Sequence, residues 1–292
     1  TFMIPNSSDN LKERLSQVCE AIKRIYASTF FQGPKAIMDT IIQRHEEEKM
    51  AIIIMQLIGQ KHNDYFYPTF SGVAQSYNYY PVSYMKRDEG IVFVALGFGK
   101  TIVDGEKSLR FSPIYPDILP QYYSTKSTIR NSQNQFYALK MDSKNKFLKD
   151  AESSNLKSYP LEQSEKDSVL KWMGGVISNE DNLLRDSLRY KGKRVITFNP
   201  ILKWKSFPLA DIVNKMLSLG KSALGCDVEI EFTVNLFENK KMIPEFCLLQ
   251  IRPMLISGLQ ARGVKKLFTK QEMFCKSSIT LGDGSINNIK NI

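Results

Sequence analysis

The apolar positions of the chain change period several times, and each change marks an element. Leu11, Leu15, Val18, Cys19, Ile22 and Ile25 fall at helical spacing, so residues 9–28 read as a helix capped by Ser7-Ser8-Asp9. Residues 35–48 continue helically. Apolar, β-branched and aromatic runs predict strands at 50–58, 66–80 and 91–97, with a short one at 107–112. Three prolines and many polar residues make 113–134 an irregular connection. Residues 136–141 open a second section as a strand, and the polar stretch 142–165 reads as a mobile excursion. Helical patterns follow at 165–173 and 180–189, and a strand at 194–198. A stronger helix covers 208–224 and ends at Gly225. The tail from 255 to 292 loses periodicity and reads as linker. Helices alternating with mostly antiparallel strands define an α+β class.

The stretch from Cys226 to Met254 carries the most chemistry. Two alternating runs flank the turn-like Glu238-Asn239-Lys240-Lys241, the pattern of a β-hairpin. Glu229 and Glu231 sit two apart, so a strand turns both carboxylates to one face. Gln250 and Arg252 do the same on the returning strand. Hard oxygen donors beside a guanidinium suit a metal-bound polyphosphate. The same alternation also suits the solvent face of an antiparallel sheet, and spacing does not separate the two.

Glu229-Ile230-Glu231-Phe232 and Leu249-Gln250-Ile251-Arg252-Pro253-Met254 resemble the Asp-Ile-Glu-Trp and Gln-x-Arg-Pro signatures of the phosphoenolpyruvate synthase and pyruvate phosphate dikinase family. Three further blocks agree in order. Met50 to Ile58 resembles the family's Val-x-Val-x-Val-Gln-x-Met-Val strand, Tyr67 to Ser76 its Ser-Gly-Val turn, and Ala95 to Gly105 its Gly-Leu-Gly-Glu-x-Val-Val-x-Gly loop. The resemblance implies an ATP-grasp-like fold, with a largely antiparallel sheet, flanking helices and two subdomain-like sections. It implies that residues 1–254 are part of a nucleotide-binding domain, interrupted by an excursion at about 113–165. Residues 255–292 would then lead toward a phosphohistidine domain.

The implied cofactors are ATP and Mg²⁺. The implied metal ligands are Glu229 and Glu231, and Arg252 is the catalytic group that stabilises the transferring phosphoryl. Gln250 would orient metal or phosphate, and Met55, Gln56, Leu57 and Ile58 would face adenine. Lys100 stands where the family has Glu, so it either meets phosphate or faces solvent. Ser-Gly-Val is followed by Ala-Gln-Ser rather than the usual Phe-Thr. No counterpart of the family's Arg-Ser-Ser segment, of the Lys ahead of it, of the phosphohistidine motif or of the pyruvate-binding barrel is found in the sequence.

The family transfers phosphoryl from ATP to a His on a swivelling domain and thence to pyruvate, so those domains are the implied partners and the chain alone is expected to be inactive. The alternatives are a related dikinase with another acceptor, such as a glucan or an antibiotic, and a non-catalytic nucleotide-binding module. A homodimer is left open.

Composition adds bounds. The 292 residues are 42% hydrophobic and 24% charged, ordinary globular values. No apolar run is long enough for a membrane span and no signal-peptide pattern opens the chain, so a cytoplasmic location is expected. The chain does not begin with Met and is read as part of something longer. The net charge of +10 suits a nucleic-acid or membrane-surface partner and equally a cleft that faces triphosphate; the lysines are dispersed with no sustained helical stripe, so no nucleic-acid or membrane partner is expected. Cys19, Cys226, Cys247 and Cys275 are scattered, as suits reduced thiols. Gly99-Lys100-Thr101 ends like a P-loop, but Val94 stands where its first Gly is required. His45 and His62 read as helix-end and loop residues, and Ser71 lacks a nucleophile elbow.

Overall fold

The computed structural model describes residues 2–31, 51–82, 85–141, 156–239 and 241–254. The helix expected at 35–48, the tail from 255, His45 and Cys275 lie outside them.

Along the chain, helix α1 (Leu11–Ser28) is capped by the Asn10 side chain, one position after the expected Ser7-Ser8-Asp9. Strands β1 (Gln60–His62) and β2 (Tyr65–Tyr67) form a hairpin, followed by β3 (Phe70–Gln75) and β4 (Ile91–Leu96). A single helical turn, α2 (Lys100–Val103), precedes β5 (Leu109–Phe111). Next come α3 (Thr125–Asn131), β6 (Gln135–Lys140), β7 (Leu156–Pro160) and α4 (Leu161–Lys166). Strands β8 (Gly174–Ser178), β9 (Leu184–Arg185) and β10 (Gly192–Ile196) lead to α5 (Asn199–Leu202). The long helix α6 (Leu209–Leu224) then delivers the hairpin β11 (Val228–Asn235) and β12 (Glu245–Pro253).

Among the described residues three antiparallel sheets form, in strand orders β12-β11-β3-β4-β5, β1-β2-β6-β7 and β10-β8-β9. In the five-stranded sheet one face is apolar. Phe70 and Ala74, Val92, Val94 and Leu96, and Val228, Ile230, Phe232 and Val234 are all buried. Helix α6 packs close to that sheet at Gly220, where a methyl group would stand 2.6 Å from Ile251 Cδ1. It stops at Gly225, whose φ of +67° is the left-handed conformation that ends helices. Phe198 and Phe70 meet edge to face, 5.5 Å between ring centres, and tie the turn after β10 to this core.

Several expectations are corrected. The apolar run at 51–58 is not a strand: no ladder forms there, and Ile53, Ile54 and Met55 are exposed. Pairing starts only at Gln60, where Asn63, at φ +52°, makes the tight β1–β2 turn. His62 therefore lies on a strand, its ring 4.4 Å from that of Tyr67. Pro68, which carries no backbone donor, separates the expected strand 66–80 into β2 and β3. The connection at 113–134 contains α3, held by reciprocal Ser124 and Ser127 hydroxyls rather than by an apolar stripe. The end of the expected excursion, 156–160, is strand β7, paired to β6. Ser168 at φ +59° breaks the expected helix 165–173, and 180–189 carries β9 instead of a helix. The buried strand Gly174–Ser178 has no alternation to betray it, because both its faces are covered.

Candidate functional site

The polar face of the five-stranded sheet brings the hairpin residues together. Glu229 is opposite Arg252 on one side and Gln75 on the other, so the three form one row across β12, β11 and β3. Arg252 Nε donates to Glu229 Oε1 at 2.7 Å, and Nη2 donates to the same oxygen. Gln75 Nε2 donates to Glu229 Oε2 at 2.6 Å. Glu229 is 9% exposed, whereas the Arg252 side chain is 56% exposed. The buried carboxylate is thus neutralised, and the guanidinium keeps an outer edge in solvent.

The next row pairs Glu231 with Gln250 and Val73. Glu231 is half-buried and Gln250 exposed. Among the described residues, neither carries a side-chain hydrogen bond or ion pair. A β-bulge follows between Glu231 and Phe232, which re-aims the strand beyond the site.

The third row joins the motif blocks. Ser71 Oγ donates to the carbonyl of Gly97 at 2.8 Å and lies 3.3 Å from Thr233 Oγ1. Residues of the Ser-Gly-Val block, the Gly-rich loop and the hairpin therefore meet at one hydroxyl. Ser71 is buried, which fits this joining role and leaves no exposed nucleophile. Gly97 has φ +78°, and a methyl group there would stand 2.7 Å from the Tyr137 carbonyl. Only glycine fits that turn. Gln133 anchors the loop from behind: it accepts from Leu96 N at 2.8 Å and donates to Leu96 O and Gln135 O.

Lys100 follows the Gly-rich loop as the first residue of α2; the Ser71–Thr233 row, which that loop meets, lies about 13 Å along β11 from the Arg252 row. Lys100 pairs with Asp104 at 2.8 Å and stands 5.6 Å from the Tyr137 ring centre. The Tyr137 hydroxyl donates to Glu106 at 2.7 Å; that bond, then burial, leaves its pKa pushed up to about 12. Gly99-Lys100-Thr101 opens only four helical residues, which excludes a P-loop helix.

Met55, Gln56 and Leu57 line an apolar cavity of about 580 Å³ with Ile22, Ile25 and Leu139. Phe66, also on its wall, reaches Phe98 of the Gly-rich loop, 6.5 Å between ring centres. The cavity wall is thus linked through Phe66 to the Gly-rich loop.

A model of the pyruvate phosphate dikinase AMP/ATP-binding domain matches residues 10–272. The chain belongs to this family, and its domain is the ATP-binding domain of a dikinase of the pyruvate phosphate dikinase and phosphoenolpyruvate synthase type. The α+β arrangement of antiparallel sheets fits the ATP-grasp fold of that domain. Comparison with curated proteins gives no match. Among the described residues, no helix is long and apolar enough to cross a membrane.

Sequence spacing located Glu229, Glu231, Gln250 and Arg252 on one face. It did not reveal Gln75, whose part depends on the β3–β11 register, nor Gln133, which lies outside every motif block.

Proposed function

We propose that the polar face of this sheet holds Mg-ATP by its phosphates and transfers phosphoryl to a His of a separate swivelling domain, which delivers it to pyruvate. The observation that carries the reading is the division of labour between the two glutamates. Glu229 is saturated by Arg252 and Gln75, while Glu231 and Gln250 stand opposite each other with no side-chain partner among the described residues.

Two hard oxygen donors fit Mg²⁺, which completes its shell with phosphates and water. Mg²⁺ would supply charge neutralisation on the phosphates as the phosphoryl group departs. Glu231 and Gln250 would hold it, and Arg252, fixed by Glu229, would stabilise charge on the transferring group. The cavity beside Met55, Gln56 and Leu57 would take the adenine; Ile58, the fourth residue expected to face it, is not part of the cavity lining. Residues 255–292 would lead toward the phosphohistidine domain, and the chain by itself would turn over no pyruvate.

The test is nucleotide binding by the full chain with and without Mg²⁺. The reading expects micromolar-range ATP affinity that chelation weakens at least tenfold. Affinity indifferent to Mg²⁺, or steady pyruvate-dependent AMP production by the chain alone, contradicts it. A non-catalytic module is the second reading, favoured by Lys100 folding back onto Asp104. Binding without phosphoryl transfer in the presence of the acceptor domain would establish it.

A further inference from the structure

Arg252 meets Glu229 in an unusual way for an exposed guanidinium. Both of its bonds, from Nε and Nη2, converge on the single oxygen Oε1. A fork onto both carboxylate oxygens would define the plane of the pair, but convergence on one oxygen does not. The second oxygen is fixed instead by Gln75, from the neighbouring strand. Gln75 and Glu229 are direct cross-strand partners, so the amide reaches the carboxylate without distorting either strand. Glutamate is a long side chain with rotamer freedom to lose, and two anchors on different strands hold it where one would leave it free to swing.

We propose that Gln75 is a positioning residue for phosphoryl transfer: by holding Oε2 of Glu229 it sets the direction in which Arg252 presents its guanidinium to the phosphates of ATP. The inference rests on the reading that this face binds Mg-ATP. Gln75 itself touches no phosphate; its effect passes through Glu229 to Arg252. Gln75 stands two residues after Ser71-Gly72-Val73, in Ala74-Gln75-Ser76 at the end of β3.

The test compares ATP and AMP affinity in wild type, Gln75→Met, Arg252→Met and the double variant, using the full chain. Methionine keeps the volume of Gln75 and removes its donor. A lost hydrogen bond to a charged group corresponds to about tenfold in affinity. The expected result is ATP affinity down about tenfold in Gln75→Met, AMP affinity unchanged, and no added loss when Arg252 is already methionine. ATP and AMP weakening together, or a Gln75 effect that persists without Arg252, overturns the proposal, since general damage to the sheet would give both.

A second readout needs no nucleotide: hydrogen exchange of the Arg252 Nε–H followed by NMR. Slow exchange in wild type that accelerates in Gln75→Met supports the anchor, and equal exchange in the two overturns it. Were wild type to bind no Mg-ATP, the functional reading would fall, and the exchange data alone would decide whether Gln75 orients Arg252.

Discussion

The ring of Phe232 lies across Gly72 so closely that a methyl group at position 72 would stand 2.1 Å from Phe232 Cζ. The glycine of the Ser-Gly-Val block is therefore a packing residue, facing the apolar side of the sheet while Ser71 and Val73 face the polar side. Gly72→Ala should cost about 1–3 kcal/mol, because the ring must leave its place. Urea denaturation measures the loss, and a Phe232→Leu background should remove most of it.

Ser71 ties β3 to the Gly-rich loop through the Gly97 carbonyl. Ser71→Ala deletes that bond and leaves a buried carbonyl unpaired, at about 1–2 kcal/mol. Amide exchange in residues 97–101 should rise, while exchange at α6 should stay as it was.

Gln133 makes three hydrogen bonds with backbone groups from a buried position. Gln133→Leu should destabilise the fold by about 2–4 kcal/mol, more than any exposed polar substitution, because it strands both polar groups of Leu96. Thermal unfolding of this variant beside Gln135→Leu, at an exposed position, checks the ranking.

Arg194 donates to Glu165 through Nε and Nη2, joining β10 to α4. That hydrogen bonding holds the Glu165 carboxyl below its ordinary range. A carboxylate with a depressed folded-state pKa stabilises the fold above its unfolded value of 4.5, and the contribution is lost as pH falls through the lower folded value. The pair is partly solvent-screened, so wild type should exceed Glu165→Gln by only about 0.5–1 kcal/mol at pH 7. The gap should close as the pH falls below 4.5. A gap that persists at acid pH would assign the effect to packing.

What was legible in the sequence followed from periodicity and residue type. The α6 stripe buries one face and states it, while β3, β4 and β11 were read as strands from their β-branched and aromatic runs although both faces are largely covered. That Glu229 and Glu231 share a face, and Gln250 and Arg252 likewise, followed from alternation on each strand of the hairpin, whereas which of them stand opposite each other depends on the register. The Met50–Ile58 segment misled because a continuous apolar run looks alike whether it pairs in a sheet or lines a cavity. Strand β8 was hidden because burial on both faces erases alternation. Helix α3 was hidden because it is specified by hydroxyl caps. Gln75 was beyond reach because its role exists only once β3 is registered against β11.

The most direct test of the account is calorimetric titration of Mg-ATP into the full chain and its Glu231→Gln variant. Among the described residues the Glu231 carboxylate has no side-chain partner, so its neutral variant should weaken Mg-ATP by tenfold or more while leaving metal-free ATP binding nearly unchanged. Equal Mg-ATP affinity in the two proteins would contradict the account and place the metal and phosphates elsewhere.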